Sequence, residues 1–140
     1  MLGFIANEAG AQLVSPIKEF NGNTIGYLLV HIANTYKHWA ANFAMQKELP
    51  YADENNVKDI VTIQKLFKEA DELMLAFLDN FPDLDLKITN TVRSGTITIT
   101  VTPLELFTHM ITHEFHHKGQ IMTMCRLLGH VPPDTDVIRY

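Results

Sequence analysis

A helix predicted between Thr102 and Gly129 constrains the fold of this chain more than any other feature. Thr102 can act as the N-cap, Pro103 suits the first helical position, and Glu105 completes a capping box. The helix is expected to run to about Leu128, because Gly129 is typical of the residue that follows a helix. It carries four of the seven histidines in the chain, so its packing decides what those side chains can do.

Apolar periodicity predicts three further helices. They cover roughly Leu2 to Val14, Thr24 to Met45 and Asp53 to Asn80. From Leu84 to Val101 the period changes to alternation rich in Thr, Ile and Val, which favours a small hairpin with its turn at Ser94-Gly95. The sequence therefore predicts an all-α fold, a bundle of four helices with a hairpin-like excursion before the last one. The tail from His130 to Tyr140 contains two adjacent prolines and is expected to be coil.

Composition narrows the class of protein. The 140 residues suit one domain, residues 1–140, and the net charge of -5 without any Lys/Arg run argues against a nucleic-acid or acidic-membrane binder. No apolar stretch approaches the roughly 20 residues that span a bilayer. Residues 1–11 contain no Lys or Arg and do not resemble a signal peptide. We expect a cytoplasmic protein whose single cysteine, Cys125, excludes an intrachain disulfide.

Two histidines of the last helix lie in the middle of its apolar face. At about 100° per residue, with His113 at zero, Leu106 and Met124 lie near 20°, His117 near 40° and Met110 near 60°. Both imidazole rings therefore point toward the core. A buried polar group without a partner costs on the order of 1–3 kcal/mol, so the two rings need hydrogen bonds or a metal ion.

A metal ion is an attractive partner for this pair. Neutral imidazole binds zinc, nickel, iron or copper, and two histidines four residues apart are a standard arrangement of ligands on a helix. A third ligand has to come from another helix. The second helix offers His31, and His38 lies two turns further along the same face, so the spacing alone permits either.

Several other side chains flank the predicted site. His109 and His116 lie at the edge of the apolar stripe, near -40° and -60°, which favours a flanking or outer-shell role for His109 and partial exposure for His116. Gln120, near -20°, could line the pocket one turn beyond His117. Trp39 is interpreted as core or pocket wall, and Cys125, about 120° from His113, as a packing residue.

Residues 113–117 also spell H-E-x-x-H, the zinc peptidase motif in which Glu114 would be the general base. The extended form of that motif needs Gly and His where this chain has Gln120 and Thr123. The other common form needs a later glutamate, and no glutamate follows Glu114. The peptidase is therefore the less favoured interpretation.

The segment HEFHHKGQIMTMCRLLGHVPPDTD resembles the C-terminal signature of the DinB-like superfamily, metal-binding four-helix bundles that include YfiT-like proteins. The family pattern of His, three residues and His, followed by a basic residue, Gly and Gln, corresponds to His113, His117 and Lys118-Gly119-Gln120. His31-Ile32 followed by Trp39 resembles the ligand-bearing segment of the family. The resemblance extends from Thr24 onward and implies His31 rather than His38 as the third ligand, with His38 as a pocket residue.

This resemblance implies a single DinB-like domain of the DinB/YfiT type. It also implies a three-histidine site for a divalent transition metal, zinc or nickel, with an open position for water or substrate. A small-molecule enzyme is then expected, either a thiol S-transferase with a low-molecular-weight thiol cosubstrate or a hydrolase. Glu114 is a second candidate acid or base, aimed beside the site. The alternative is a non-catalytic metal- or ligand-binding module, and a homodimer is expected in either case.

Overall fold

The computed structural model describes residues 1–92, 95–136 and 138, and it is mostly helical with an antiparallel hairpin before the last helix. This confirms the predicted order of helices and hairpin. The helices are α1 (Leu2–Phe4), α2 (Ile25–Tyr36), α3 (Ile60–Asn80) and α4 (Pro103–Leu127), and the strands are β1 (Ile88–Val92) and β2 (Ile97–Val101). Within the described residues, no helix is long and apolar enough to cross a membrane.

Helix α4 begins as predicted. The backbone N–H of Glu105 donates to the Thr102 hydroxyl at 3.1 Å, and the Glu105 carboxylate accepts from the Thr102 backbone N–H at 2.7 Å. The helix ends at Leu127, shortly before Gly129, which adopts a positive φ of 91°. The side chains of the apolar stripe, Leu106, Met110 and Met124, are buried. The face that carries His113 and His117 is therefore directed to the core.

Helix α2 lies at the centre of the fold, with α3 and α4 both packed against it. Thr24 caps it by accepting a hydrogen bond from the backbone N–H of Tyr27 at 3.0 Å. It continues as a π-helix over Lys37–Ala44, so the helical segment matches the predicted range closely. All residues of α2 are buried except Tyr27 and His31. Helix α2 is therefore accessible only along the turn that carries Tyr27 and His31.

The predicted start of the third helix at Asp53 is wrong. Helix α3 begins at Ile60, because Asp59 adopts an extended backbone and its carboxylate accepts from the Thr62 backbone N–H at 2.8 Å. An aspartate in this position is a strong N-cap and outweighs the helical periodicity before it. The residues from Asp53 to Asp59 are consequently loop and not helix.

Two asparagines hold residues 49–52, which lead into this loop, along the central helical segment. The side chain of Asn34 accepts from the N–H of Ala52 and donates to its carbonyl, both at 2.9 Å. Asn42 makes the same pair of bonds to Leu49, at 2.7 and 2.9 Å. Each side-chain amide bonds to both the N–H and the carbonyl of one residue, so residues 49–52 are held against α2 and the π-helix.

The N-terminal segment departs from the predicted continuous helix over Leu2 to Val14. After α1 it forms a π turn over Ile5–Ala9 and a 3-10 turn over Gly10–Gln12. The Met1 cap makes no side-chain hydrogen bond, and an isolated helix of this length is marginal, so tertiary packing sets its shape. Ser94 of the predicted hairpin turn and residues 137, 139 and 140 of the predicted tail lie outside the described residues, and residues 130–136 contain no helix or strand.

The hairpin connects the core to α4. Its register pairs Ile88 with Val101 and Val92 with Ile97. The Asn90 side chain donates to the carbonyl of Phe43 in the π-helix at 2.9 Å. Asn90 of β1 is paired with Ile99 of β2, and β2 runs directly into the N-cap of α4. The contact with Phe43 therefore helps to fix the position of α4 along α2.

Candidate metal centre

His31, His113 and His117 meet where α4 packs against α2. Their potential ligand nitrogens all lie within 4.8 Å of one another. The ring centroids of His31 are 5.1 Å from His113 and 5.0 Å from His117, and those of His113 and His117 are 4.5 Å apart. The two predicted α4 histidines are therefore brought together with the histidine that the family resemblance implied.

Hydrogen bonds set the tautomers of two of these rings. Nδ1 of His31 lies 3.0 Å from the Glu54 carboxylate, and Nδ1 of His117 lies 2.6 Å from the side-chain oxygen of Gln120. Both partners are acceptors, so each Nδ1 carries the proton and each Nε2 keeps its lone pair. Metal-binding histidines in proteins are commonly oriented in this way by a carboxylate or carbonyl oxygen.

The third ring, His113, has no such partner. Its Nδ1 atom is buried and makes no hydrogen bond with any described residue. A buried polar nitrogen without a partner is costly, on the order of 1–3 kcal/mol. An unpartnered ring nitrogen inside a cluster of three imidazoles fits a ring whose partner is a bound cation. The donor set, three nitrogen ligands, suits zinc or nickel.

The electrostatics favour the neutral form of His113 and His117. Burial, followed by the neighbouring His117 and His31, lowers the pKa of His113 to about 4. Burial also lowers the pKa of His117, although the hydrogen bond to Gln120 opposes this change. Because only the neutral imidazole has a free lone pair, both rings are in the form that binds metal ions at neutral pH.

The cluster is open to solvent on two sides. A cavity of about 770 Å³ is lined by both His31 and His113, and a second cavity of about 490 Å³ is lined by His31 and His117. The larger volume is within the range of small-molecule sites. A ligand in either cavity would therefore reach the histidines directly.

Glu54 belongs to this site and was not predicted from the sequence. It bonds to His31, it also accepts from Asn34 at 3.3 Å, and its carboxylate raises the pKa of the nearby Tyr27 hydroxyl. The predicted third helix, which began near Asp53, had included Glu54, whereas the structure places it in a loop. Asn34 holds Ala52, two residues before Glu54, against α2. This contact explains how Glu54, 23 positions from His31, reaches the imidazole ring.

Replacing Glu54 with Gln is expected to weaken zinc binding by about 10- to 100-fold, as loss of an outer-shell partner does at other metal sites. The amide keeps the shape of the side chain but removes the negative charge that orients and polarises His31. Titration of metal-free protein with zinc against a competing chelator measures the effect. Glu19→Gln is the matched control, because Glu19 lines the smaller cavity and, among the described residues, makes no hydrogen bond to a histidine. An equal loss in both variants would contradict the role of Glu54.

The remaining predicted pocket residues lie beside the cluster and outside its ligand set. His38 and Trp39 line the larger cavity, and Nδ1 of His38 is 2.6 Å from the Tyr51 hydroxyl. His109 packs its ring 5.1 Å from Trp39 and 5.9 Å from His113. Two helical turns separate His38 from His31 by about 10 Å along the axis, which explains why both cannot reach one centre.

Glu114 lies elsewhere. Its carboxylate accepts a hydrogen bond from the buried hydroxyl of Tyr36, and burial together with this carboxylate raises the Tyr36 pKa. Among the described residues, the lining of the two cavities beside the histidines does not include Glu114. In this structure the carboxylate that a peptidase would use as its base is directed to a packing partner.

The fold and the cluster together define a helical protein with a candidate three-histidine metal centre beside an accessible cavity. The model of the DinB family matches residues 12–140. The chain therefore belongs to the DinB family. The comparison with curated proteins gives no match.

Proposed function

We propose that this chain is a metal-dependent enzyme in which His31, His113 and His117 hold one divalent ion, zinc or nickel. The observation that carries the proposal is the cluster itself, with ligand nitrogens within 4.8 Å and two tautomers set by Glu54 and Gln120. When bound, the ion would supply Lewis-acid chemistry that lowers the pKa of a thiol or a water molecule. The expected reactions are transfer of a low-molecular-weight thiol to an electrophile, or hydrolysis.

The open side of the cluster favours catalysis over a purely structural ion. Structural zinc sites are closed by four protein ligands, whereas catalytic sites keep one position free. Among the described residues, only three histidines form the group, and His109 is directed to Trp39. The protein would contribute the orientation of the rings, the charge of Glu54 and a cavity that positions the substrate.

We further propose that residues 1–140 form one domain of the DinB four-helix-bundle type. The first helix is short and irregular, so it covers less of the bundle than a full-length helix would. A second copy of the chain in a homodimer would complete this wall. Size-exclusion chromatography with light scattering would measure the mass in solution.

A thiol-transfer assay tests the enzymatic part of the proposal. Zinc- or nickel-loaded protein is given a low-molecular-weight thiol and chlorodinitrobenzene; a carbon–sulfur bond forms, chloride leaves and the thiol proton passes to buffer. Hydrolysis of nitrophenyl acetate is measured in parallel. We expect one of the two rates in the wild type to exceed that of His113→Ala by at least about tenfold, since loss of the ion removes its electrostatic contribution.

The variant His116→Ala is the matched control, because His116 is an exposed histidine of the same helix outside the ligand group. It is expected to keep the wild-type rate. If wild type and His113→Ala are equally slow in both assays while the wild type still holds zinc, the enzymatic proposal is contradicted and a non-catalytic metal-binding module is favoured.

A further inference from the structure

The larger cavity has few charged side chains that could pair with a charged ligand. Among the described residues, Glu54 is its only charged lining residue, and no lysine or arginine lines it. The chain as a whole carries a net charge of -5. A carboxylate or phosphate on the body of a ligand would lose hydration in this cavity and find no cationic partner.

Several polar groups of the cavity already form hydrogen bonds within the protein. The Asn34 amide bonds to both backbone groups of Ala52, and the Thr35 hydroxyl donates to the carbonyl of His31. The rings of His38 and Tyr51 are joined through Nδ1 and the hydroxyl. Among the described lining residues outside the metal site, Asn55 is the remaining polar side chain, so hydrogen-bond recognition of a ligand body depends on few groups.

The apolar part of the wall is built around Trp39. Its indole is held by His38 at 4.7 Å, His109 at 5.1 Å and Phe43 at 5.4 Å between ring centroids, with the two histidine contacts near perpendicular. Despite these three neighbours it is only half-buried and lines the cavity. A rigid indole of this kind is a suitable surface for a flat ring, because aromatic pairs gain attraction beyond the burial of their area.

We propose that this cavity binds a small molecule with an uncharged aromatic or flat apolar body, which packs against Trp39 while a single donor group is directed to the three histidines. This inference rests on the proposed metal site, because the donor group needs an ion to bind. It deepens the proposed function by naming the substrate class, which the family resemblance does not supply.

Three simple thiols test the inference in zinc-loaded, full-length protein. Benzyl mercaptan is uncharged and aromatic, mercaptoethanol is uncharged without a ring, and mercaptosuccinate carries two carboxylates. Calorimetry gives each dissociation constant, and quenching of Trp39, the only tryptophan in the chain, reports contact with the indole. Zinc content is measured before and after each titration.

In the wild type we expect benzyl mercaptan to bind about tenfold more tightly than either other thiol, with quenching of Trp39. In Trp39→Leu this advantage should fall to within about threefold, while the affinity for mercaptoethanol stays nearly unchanged. Because each thiol is compared between the two proteins, differences in thiol acidity cancel. The unchanged mercaptoethanol affinity and zinc content show that the variant is folded.

Two results would overturn the inference alone: mercaptosuccinate binding as tightly as benzyl mercaptan to zinc-loaded wild type, or Trp39→Leu weakening all three thiols equally. Failure of the wild type to take up zinc at all would instead overturn the proposed metal site, and the inference with it. The two failures are therefore distinguishable from the zinc content of the same samples.

Discussion

Replacing His113 with alanine is expected to lower the affinity for zinc by more than about 100-fold, beyond the effect of losing an outer-shell partner. His113 supplies one of only three ligands in the described group, and two remaining imidazoles cannot hold the ion as firmly. Zinc at about a thousand times its dissociation constant adds about 4 kcal/mol to the free energy of unfolding. For a chain of this size, that corresponds to a rise in Tm of about 10–15 °C, and a 100-fold loss of affinity should remove at least about two-thirds of this rise in His113→Ala.

Thermal unfolding with and without zinc measures this shift in Tm. His116→Ala is again the control, because it removes an exposed imidazole from the same helix and should keep the full rise. If His113→Ala shows the same zinc-dependent rise as the wild type, the stabilising ion is bound elsewhere and the assignment of this ligand is wrong.

The second large effect is expected in the core that supports the site. Phe77 of α3 is fully buried and contacts the Phe81 ring with a centroid distance of 5.2 Å. Its replacement by alanine removes a large apolar side chain and leaves a cavity, which typically costs about 3–5 kcal/mol of the free energy of unfolding. Helix α3 packs against α2 and the π-helix, so this core supports the helix that carries His31.

Urea denaturation of metal-free protein measures the loss, so that zinc binding does not contribute. Leu75→Ala is the matched control on the same helix, because Leu75 is 65% exposed. Its free energy of unfolding should change by less than about 0.5 kcal/mol. An equal loss in the two variants would show that α3 is not packed as described.

The part of the site that could be predicted from sequence is the part that depends on one helix. The capping box fixes the start of α4, and about 100° per residue then places His113 and His117 on its apolar stripe. Both positions follow from local rules, and the structure brings the two rings together. The choice of His31 over His38 needed the family resemblance, because helical spacing places them on the same face.

Glu54 could not be found in this way. Its contact with His31 requires that residues 53–59 form a loop and not a helix, that Asp59 caps α3, and that Asn34 bonds to Ala52. The N-cap at Asp59 is a local side-chain bond, whereas the contacts of Asn34 and Glu54 are tertiary hydrogen bonds. All of them compete with continuation of the helix, and periodicity does not report such competition. The π-helix over Lys37–Ala44 was missed for the same reason, since its sequence has ordinary helical spacing.

The three-histidine metal site is tested most directly by zinc titration of metal-free wild type, His31→Ala and His38→Ala, with the ion content measured after dialysis. We expect a single ion per chain in the wild type and in His38→Ala, and none in His31→Ala. If the wild type retains no zinc, or if His31→Ala retains it while His38→Ala does not, the site formed by His31, His113 and His117 is not the metal site of this protein.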